Sequence, residues 1–402
     1  MTSKFWENKN MATLKTQVLG IDFENPFILA SAPPSARIES IDKAFSLGWG
    51  GAVFKTITPN NLEMIEASQR YTTWKIGTKI CGFENIELLS HLTVQEWLDG
   101  IKFLRQKHPT KVQIANIMAP VVKEEWQKLV QTFNQSEIDA FELNFSCPHG
   151  MPEKGIGMAI GTHPEISAMI TKWVMEVAQK PVFVKLSPNV SNIVEIAKAV
   201  EDAGANGLTA INTVQSLMGI DLETFEPQPN VNGKTTYGGY SGIAVKPIGL
   251  RCVAQLRQNS QLPILGTGGI STWHDAAEYM TVGADVVQIC TEVMINGYKI
   301  IKDLNKGLLN YLERKGFHSP ADLKNKAIAN LSAHETLPKG KQVYPQIDAS
   351  LCVKCGHCAT ICDESEHSAL SLVNGLIIVD KDACIGCSLC SHVCKKSAIK
   401  MI

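Results

Sequence analysis

No stretch of this sequence approaches the roughly 18 consecutive apolar residues that a membrane-spanning helix needs. Its apolar runs are short and broken by Gly, Pro or charge. Residues 1–15 are polar and charged, with Lys4, Glu7 and Lys9 among them, and lack the apolar core of a secretory signal. An excess of one charge is also missing: Lys and Arg number 38 against 39 Asp and Glu, and the basic residues are not gathered in one stretch. That argues against a nucleic-acid or anionic-lipid surface. A cytoplasmic protein acting on small neutral or mildly charged molecules is expected. The chain further lacks a strand followed by G-x-G-x-x-G at the start of a helix; the nearest match, Gly155-Ile-Gly157, follows a Cys-Pro pair in a loop. A nicotinamide site is therefore not expected in this chain.

Cysteine, by contrast, is abundant and unevenly spread. Of twelve, Cys81, Cys147, Cys252 and Cys290 are scattered, while eight crowd between Cys352 and Cys394. This distribution suits a separate metal-binding unit better than a disulfide framework. Cys352, Cys355, Cys358 and Cys362 have the spacing C-x2-C-x2-C-x3-C, which Cys384, Cys387, Cys390 and Cys394 repeat. A loop with a thiolate every third residue wraps three corners of a four-iron cluster, and the fourth cysteine reaches the other cluster. The expected sets are crossed: Cys352, Cys355, Cys358 and Cys394 for one 4Fe-4S cluster, and Cys384, Cys387, Cys390 and Cys362 for the second. A pair of zinc sites is the alternative, but zinc favours two separated C-x2-C pairs over runs of four. The Pro that usually follows the fourth cysteine is replaced by Asp363 and Lys395. His357 and His367 are expected at the surface.

Between about residues 19 and 315, apolar β-branched runs alternate with segments of helical period, the pattern of repeated βα units. Eight runs are counted, at residues 27–31, 52–56, 113–118, 141–145, 182–186, 207–212, 264–266 and 286–290. Helices are expected between them, for example over 165–178 and 192–203. Eight units in about 300 residues predict an α/β fold, a (β/α)8 TIM barrel, with an open doubly wound sheet as the alternative. The expected domains are a barrel over 1–315, a connector over 316–344, and a small ferredoxin-like domain with two 4Fe-4S clusters over 345–402.

In a barrel, reactive groups gather where strands end. Ser31, Lys55 with Thr56, Asn144 to Ser146 with Cys147, Lys185, Asn212 with Thr213, Gly268 with Gly269, and Cys290 with Thr291 all fall at or just past such ends. Singly each has a plain structural explanation; a lone lysine can be a solvated terminus and Cys290 a small core residue. The run 266–270, Gly-Thr-Gly-Gly-Ile, with Gly238, Gly239 and Gly242 upstream, offers bare backbone N–H groups for a phosphate. A barrel with such a seat, a lysine and attached clusters needs a cofactor that joins one-electron traffic to hydride chemistry, and FMN has the right single phosphate. Lys185 would stabilise negative charge on the reduced ring. An ordinary thiol, with a pKa of about 8.5, is mostly protonated at neutral pH, so Cys147 would serve as proton donor. Asn85, Asn144, Asn212 and Thr213 supply the paired donors and acceptors that suit a uracil-like imide edge, although asparagines also cap turns.

The stretch Phe141-Glu-Leu-Asn-Phe-Ser-Cys-Pro-His-Gly-Met151, with Ala210-Ile-Asn-Thr-Val214, Thr235-Thr-Tyr-Gly-Gly239 and Thr267-Gly-Gly-Ile270, resembles the dihydropyrimidine dehydrogenase family. The likeness runs from about residue 19 to the end, and is to the separate FMN and iron–sulfur subunit of the bacterial NAD-dependent form. The resemblance implies Cys147 as general acid and base. It implies FMN contacts from Ser31, Lys55, Thr56, Lys185, Gly242, Thr267, Gly268, Gly269, Cys290 and Thr291. It implies pyrimidine contacts from Asn85, Asn144, Phe145, Ser146, Asn212 and Thr213. The implied reaction is reversible reduction of uracil or thymine, with hydride passing from flavin N5 to C6 and a proton from Cys147 to C5. Electrons would come from a partner subunit carrying FAD and oxidising NADH, in a heterotetramer. Dihydroorotate dehydrogenase is the alternative within the fold. Against it stand His149, where that family usually has Asn, and the two-cluster domain. An electron-transfer subunit with an inactive barrel is the alternative of another class, opposed by the intact Cys147 and Lys185.

Overall fold

Each of the eight apolar runs becomes a strand. In the computed structural model of the chain, residues 12–60, 66–145, 158–338 and 343–402 are described. The strands are β1 (Phe27–Leu29), β2 (Gly51–Val53), β3 (Val112–Ile117), β4 (Ala140–Asn144), β5 (Val182–Leu186), β6 (Gly207–Ala210), β7 (Ile264–Thr267) and β8 (Val286–Ile289). They pair in parallel with their chain neighbours, β8 with β1, and close a barrel. Every residue of these strands is buried. Strands covered on both faces read as continuous apolar runs, and for that reason they were visible in the sequence. Helix Ile193–Asp202 lies within the span expected for it, and helix Pro164–Met175 begins one residue before the expected span and ends three residues short of it.

The barrel interior is layered. Ile28, Val53, Val112, Ile114, Ala140, Phe183, Leu265 and Val286 form an apolar lower core, joined by Val18 and Phe23. These two come from an N-terminal hairpin, Thr16–Val18 and Ile21–Phe23. Above them the inward side chains turn polar: Asn116, Glu142, Thr209 and Gln288 are at most 1% exposed. The polar layer is the floor of the site.

The sequence did not announce a four-stranded antiparallel sheet in the order Val214–Ser216, Gly238–Ser241, Lys79–Asn85, Tyr71–Ile76. Its side chains alternate: Cys81, Phe83 and Asn85 face a cleft, while Glu84 turns the other way and is fully buried. Ser216 Oγ donates to Glu84 Oε2 at 2.7 Å, yet Glu84 Oε1 has no hydrogen-bond partner among the described residues. Gly238 makes room for it, since a Cβ there would lie 2.5 Å from Oε1. Burial raises the Glu84 pKa above the ordinary carboxylate value, against the Ser216 hydrogen bond. A carboxyl with a raised folded-state pKa binds more protons folded than unfolded, so it costs stability as pH rises through the ordinary carboxylate range. Glu84→Gln is expected to raise the melting temperature at pH 7, by the equivalent of about 1–3 kcal/mol, and to lose the advantage near pH 4. Thermal unfolding of both proteins at the two pH values checks this; equal melting temperatures at pH 7 would contradict it.

The chain divides into two compact units, Met1–Leu331 and Ser332–Ile402. Beyond residue 315, Leu323 of the short turn Pro320–Leu323 is 1% exposed within the first unit's core. In the second unit, helix His357–Glu364 stands between strands Pro345–Ile347 and Leu370–Val373. Helix Leu389–Val393 stands between strands Leu376–Val379 and Ile399–Met401. The outer strands pair with each other, as do the inner two, so the sequence repeat folds as two interlocked βαβ halves. Among the described residues no helix is long and apolar enough to cross a membrane.

Candidate functional site

A cleft of about 1250 Å³, its open mouth included, lies over the C-terminal ends of the strands. Ser31, Lys55, Thr56, Lys185 and Asn144 line it from β1, β2, β5 and β4 or the residues just past them. Asn85 enters from the antiparallel sheet, and Asn212 and Thr213 from the end of β6. Gly242, Thr267, Gly268, Gly269, Cys290 and Thr291 complete the lining. Phe145 does not join them: its side chain is fully buried in the outer core, edge-on to Trp126 at 5.8 Å. Strand alternation sends Asn144 inward and the next residue out. Ser146 and Cys147 lie outside the described residues.

The polar groups are tied to one another. Asn144 Nδ2 donates to Thr56 Oγ1 at 2.9 Å, Asn212 Nδ2 to Asn144 Oδ1 at 3.4 Å, and Asn85 Nδ2 to the Gly239 carbonyl at 3.3 Å. The amides are thus fixed in orientation, as recognition of a planar donor–acceptor edge requires. Burial pushes the Cys290 thiol up to about 11, against the pull of Lys55 and Lys185. It is a neutral wall group at physiological pH.

Both lysines of the cleft have counter-charges that the strand-end rule missed. Lys55 Nζ is 3.1 Å from Glu87 Oε2, with side chains 7% and 11% exposed. Lys185 Nζ is 3.6 Å from Oε1 of the fully buried Glu142. Glu87 also bonds Tyr71, whose phenol is raised in pKa first by burial and then by that carboxylate. Glu87 follows a strand outside the barrel, and Glu142 hides inside an apolar run. A charged residue at an inward position of an otherwise apolar strand was the available signal.

The glycine end fits a phosphorylated cofactor. Gly242, Gly268 and Gly269 have φ of 90°, 123° and 71°, values that side-chain-bearing residues adopt at a cost. A Cβ on Gly269 would stand 2.7 Å from both the Gly242 carbonyl oxygen and the Lys246 nitrogen. Two backbone segments therefore meet there with nothing between them, and the cleft wall is made of peptide groups, the donors that cradle phosphates.

In the second unit a cavity of about 380 Å³ is lined by Cys362, Cys384, Cys387 and Cys390, with Leu370, Ile385 and Met401. Cys358 sits close enough to Cys355 and Cys352 to feel their charge. The residues on either side of the second cysteine of each run are left-handed: Lys354 and Gly356 (φ 58° and 75°), then Gly386 and Ser388 (72° and 65°). Such turns aim successive groups into one concavity. Among the described residues no three His, Cys, Asp or Glu side chains converge closely enough to hold a single metal ion. Helix His357–Glu364 runs past Cys362, and Asp363, in the place of the usual Pro, accepts from Ser368 Oγ at 2.6 Å.

Residues 13–312 match the family described as Dihydroorotate dehydrogenase, and residues 345–401 match the 4Fe-4S dicluster domain. The NAD-dependent dihydropyrimidine dehydrogenase subunit PreA of Escherichia coli (strain K12) is 38% identical over 355 residues, 87% of this chain and 85% of the relative. The chloroplastic dihydropyrimidine dehydrogenase (NADP(+)) of Arabidopsis thaliana is 34% identical over 338 residues, 81% of this chain and 79% of the relative. The catalytic subunit of dihydroorotate dehydrogenase B (NAD(+)) from Pyrococcus furiosus is 36% identical over 311 residues, 77% of this chain and 97% of the relative.

Proposed function

Because this chain belongs to the dihydroorotate dehydrogenase family, and is an oxidoreductase that resembles dihydropyrimidine dehydrogenases along most of its length, we propose that it reversibly reduces uracil or thymine to the 5,6-dihydro base. The single observation that favours a neutral base over orotate is the pairing of the cleft's cations. Lys55 and Lys185 are the positive side chains among the described lining residues, and each already faces a carboxylate. Among the described residues a substrate carboxylate would meet no further cation, and burying an uncompensated charge is costly.

FMN, held between the glycine end and Lys185, supplies hydride chemistry when bound. Asn85, Asn144, Asn212 and Thr213 orient the base through its imide edge. Cys147 gives a proton to C5 in reduction and takes it back in the reverse direction. Cys352, Cys355, Cys358 and Cys394 would hold one 4Fe-4S cluster and Cys384, Cys387, Cys390 and Cys362 the other, and the two would supply a one-electron path from an FAD-containing, NADH-oxidising partner subunit. Support for the iron–sulfur route comes from the dicluster match and from four cysteines around one cavity. The Pyrococcus relative is spent over 97% of its length by 311 aligned residues, which leaves it no room for such a domain.

With an artificial acceptor, the purified chain is expected to oxidise dihydrouracil with a kcat/KM at least about 100-fold above that for dihydroorotate, the discrimination that an unpaired buried group can impose. Equal turnover of the two would sink the proposal. The chain alone should oxidise no NADH, and rapid NADH oxidation would refute the partner.

A further inference from the structure

Tyr279 does not line the cleft and has no part in the chemistry described so far, yet the backbone around it is shaped to its hydroxyl. It stands on helix Trp273–Thr281 and is fully buried. Its Oη donates to the Gly268 carbonyl at 2.7 Å, while the Thr267 carbonyl, 3.4 Å away, already accepts the Ile211 N–H. Three glycines make its slot. A Cβ on Gly249 would stand 1.8 Å from the hydroxyl, one on Gly266 2.8 Å from the ring, and one on Gly268 3.2 Å from the hydroxyl. Gly249 sits inside helix Lys246–Asn259, where glycine weakens the helix relative to alanine. The atom it clears is the hydroxyl oxygen rather than the ring, whose nearest carbon would be 3.0 Å away.

That bond fixes which way one peptide faces. In a trans peptide the C=O and the following N–H point in opposite directions. With the Gly268 oxygen turned to the buried Tyr279, the Gly269 N–H turns the other way, to the side where both glycines line the cleft. Among the described residues that N–H has no acceptor. A peptide between two glycines flips easily, because no Cβ resists the change. Asp275, on the same helix as Tyr279, already holds the far end of the turn through the Ser271 and Thr272 N–H groups at 3.1 and 2.8 Å. The hydroxyl holds the near end. Burial raises the phenol pKa above its ordinary value, so the group stays a donor at any working pH.

Resting on the FMN reading above, we infer that Tyr279 is a positioning residue for the phosphate seat: its hydroxyl holds the Gly268–Gly269 peptide so that the Gly269 N–H is presented to the cofactor phosphate. Peptide N–H groups bind phosphate only when they are already aimed at it. Because Tyr279 stands behind the cleft wall, loss of its hydroxyl should be felt by a ligand that carries the phosphate and hardly at all by one that lacks it.

The test compares FMN with riboflavin, which has the same ring system and ribityl chain but no phosphate. Both are titrated into the full, cluster-bearing chain freed of flavin, and binding is read by quenching of flavin fluorescence. Tyr279→Phe should weaken FMN about five- to thirtyfold, the range expected when a buried acceptor loses its donor, and riboflavin by no more than about twofold. Equal weakening of both flavins, as a general loosening of the fold would cause, or an unchanged FMN affinity overturns the inference. Gly249→Ala, which drives a methyl group into the place of the hydroxyl, should give the same selective loss in wild type and add less than about twofold in Tyr279→Phe. A full further loss there overturns it too. If Tyr279→Phe does not fold, Gly249→Ala decides by the same FMN and riboflavin ratios, and failure of both variants to fold overturns the inference, since the hydroxyl would then serve the fold and not the seat. A wild-type chain that bound neither flavin would refute the proposed function and the inference with it, whereas a wild-type preference for FMN kept in full by Tyr279→Phe overturns the inference alone.

Discussion

Replacing Cys147 with alanine is expected to slow uracil reduction by about 10²–10⁴-fold, the contribution of a positioned general acid, while FMN and both clusters remain bound. Hydride arriving at C6 leaves the pyrimidine with negative charge spread over C5 and the C4 carbonyl, and the reaction completes only when C5 receives a proton. The imide-edge amides can orient the ring but are far too weak as acids. Serine is a poor substitute for the same reason, and Cys147→Ser should resemble the alanine variant.

The two directions need opposite states of the thiol. Reduction needs it protonated, so its rate should fall as pH rises through the thiol pKa, about 8.5 for an unperturbed cysteine. Oxidation of dihydrouracil needs thiolate and should rise over the same interval. Stopped-flow measurement of flavin oxidation by uracil in pre-reduced protein, together with dihydrouracil oxidation across pH, reads both limbs. Full-rate turnover by the alanine variant would remove Cys147 from the mechanism.

What could be read from the sequence followed the physics of burial. The barrel strands were legible because parallel strands, covered on both faces, form unbroken apolar runs such as Val182–Leu186. The antiparallel sheet over the mouth was not. Tyr71–Ile76, with the sequence YTTWKI, leaves most of its side chains wholly or partly exposed and so carries no run. It pairs with Lys79–Asn85 in a local hairpin, but the other two strands of the sheet, Val214–Ser216 and Gly238–Ser241, come from a distant part of the chain. Within the site, looking at strand ends found Lys55, Lys185 and Asn144, which sit where side chains leave the barrel. It passed over Glu142, two residues earlier on the same inward face as Asn144, because a charge inside an apolar run was read as part of the run. It also took in Phe145, which alternation sends to the opposite face. Applying the two-residue period of each strand, in addition to its end, would have corrected both.

The cavity of the second unit bears on how the cysteines divide. Cys362 lines a cavity with Cys384, Cys387 and Cys390, although in sequence it belongs to the run of Cys352, Cys355 and Cys358. The turns around Cys355 and Cys387 would let three thiolates face one cluster, whereas Cys362 lies on the helix His357–Glu364, and the helix Leu389–Val393 of the other half packs beside it. Crossed ligation makes a prediction that counting clusters can settle. The double variant Cys362→Ala with Cys384→Ala strikes one set twice and should retain one intact four-iron cluster per chain. Cys352→Ala with Cys362→Ala strikes both sets and should retain none. Under uncrossed ligation the two outcomes exchange places, so Mössbauer spectra and iron content of the two variants separate the schemes. Because each cluster would then be held by both halves of the repeat, losing either should also loosen the other half. Proteolysis of Cys362→Ala should accordingly cut near residues 384–390 as well as near residue 362, whereas cuts confined to the first half would argue that each run folds around a cluster of its own.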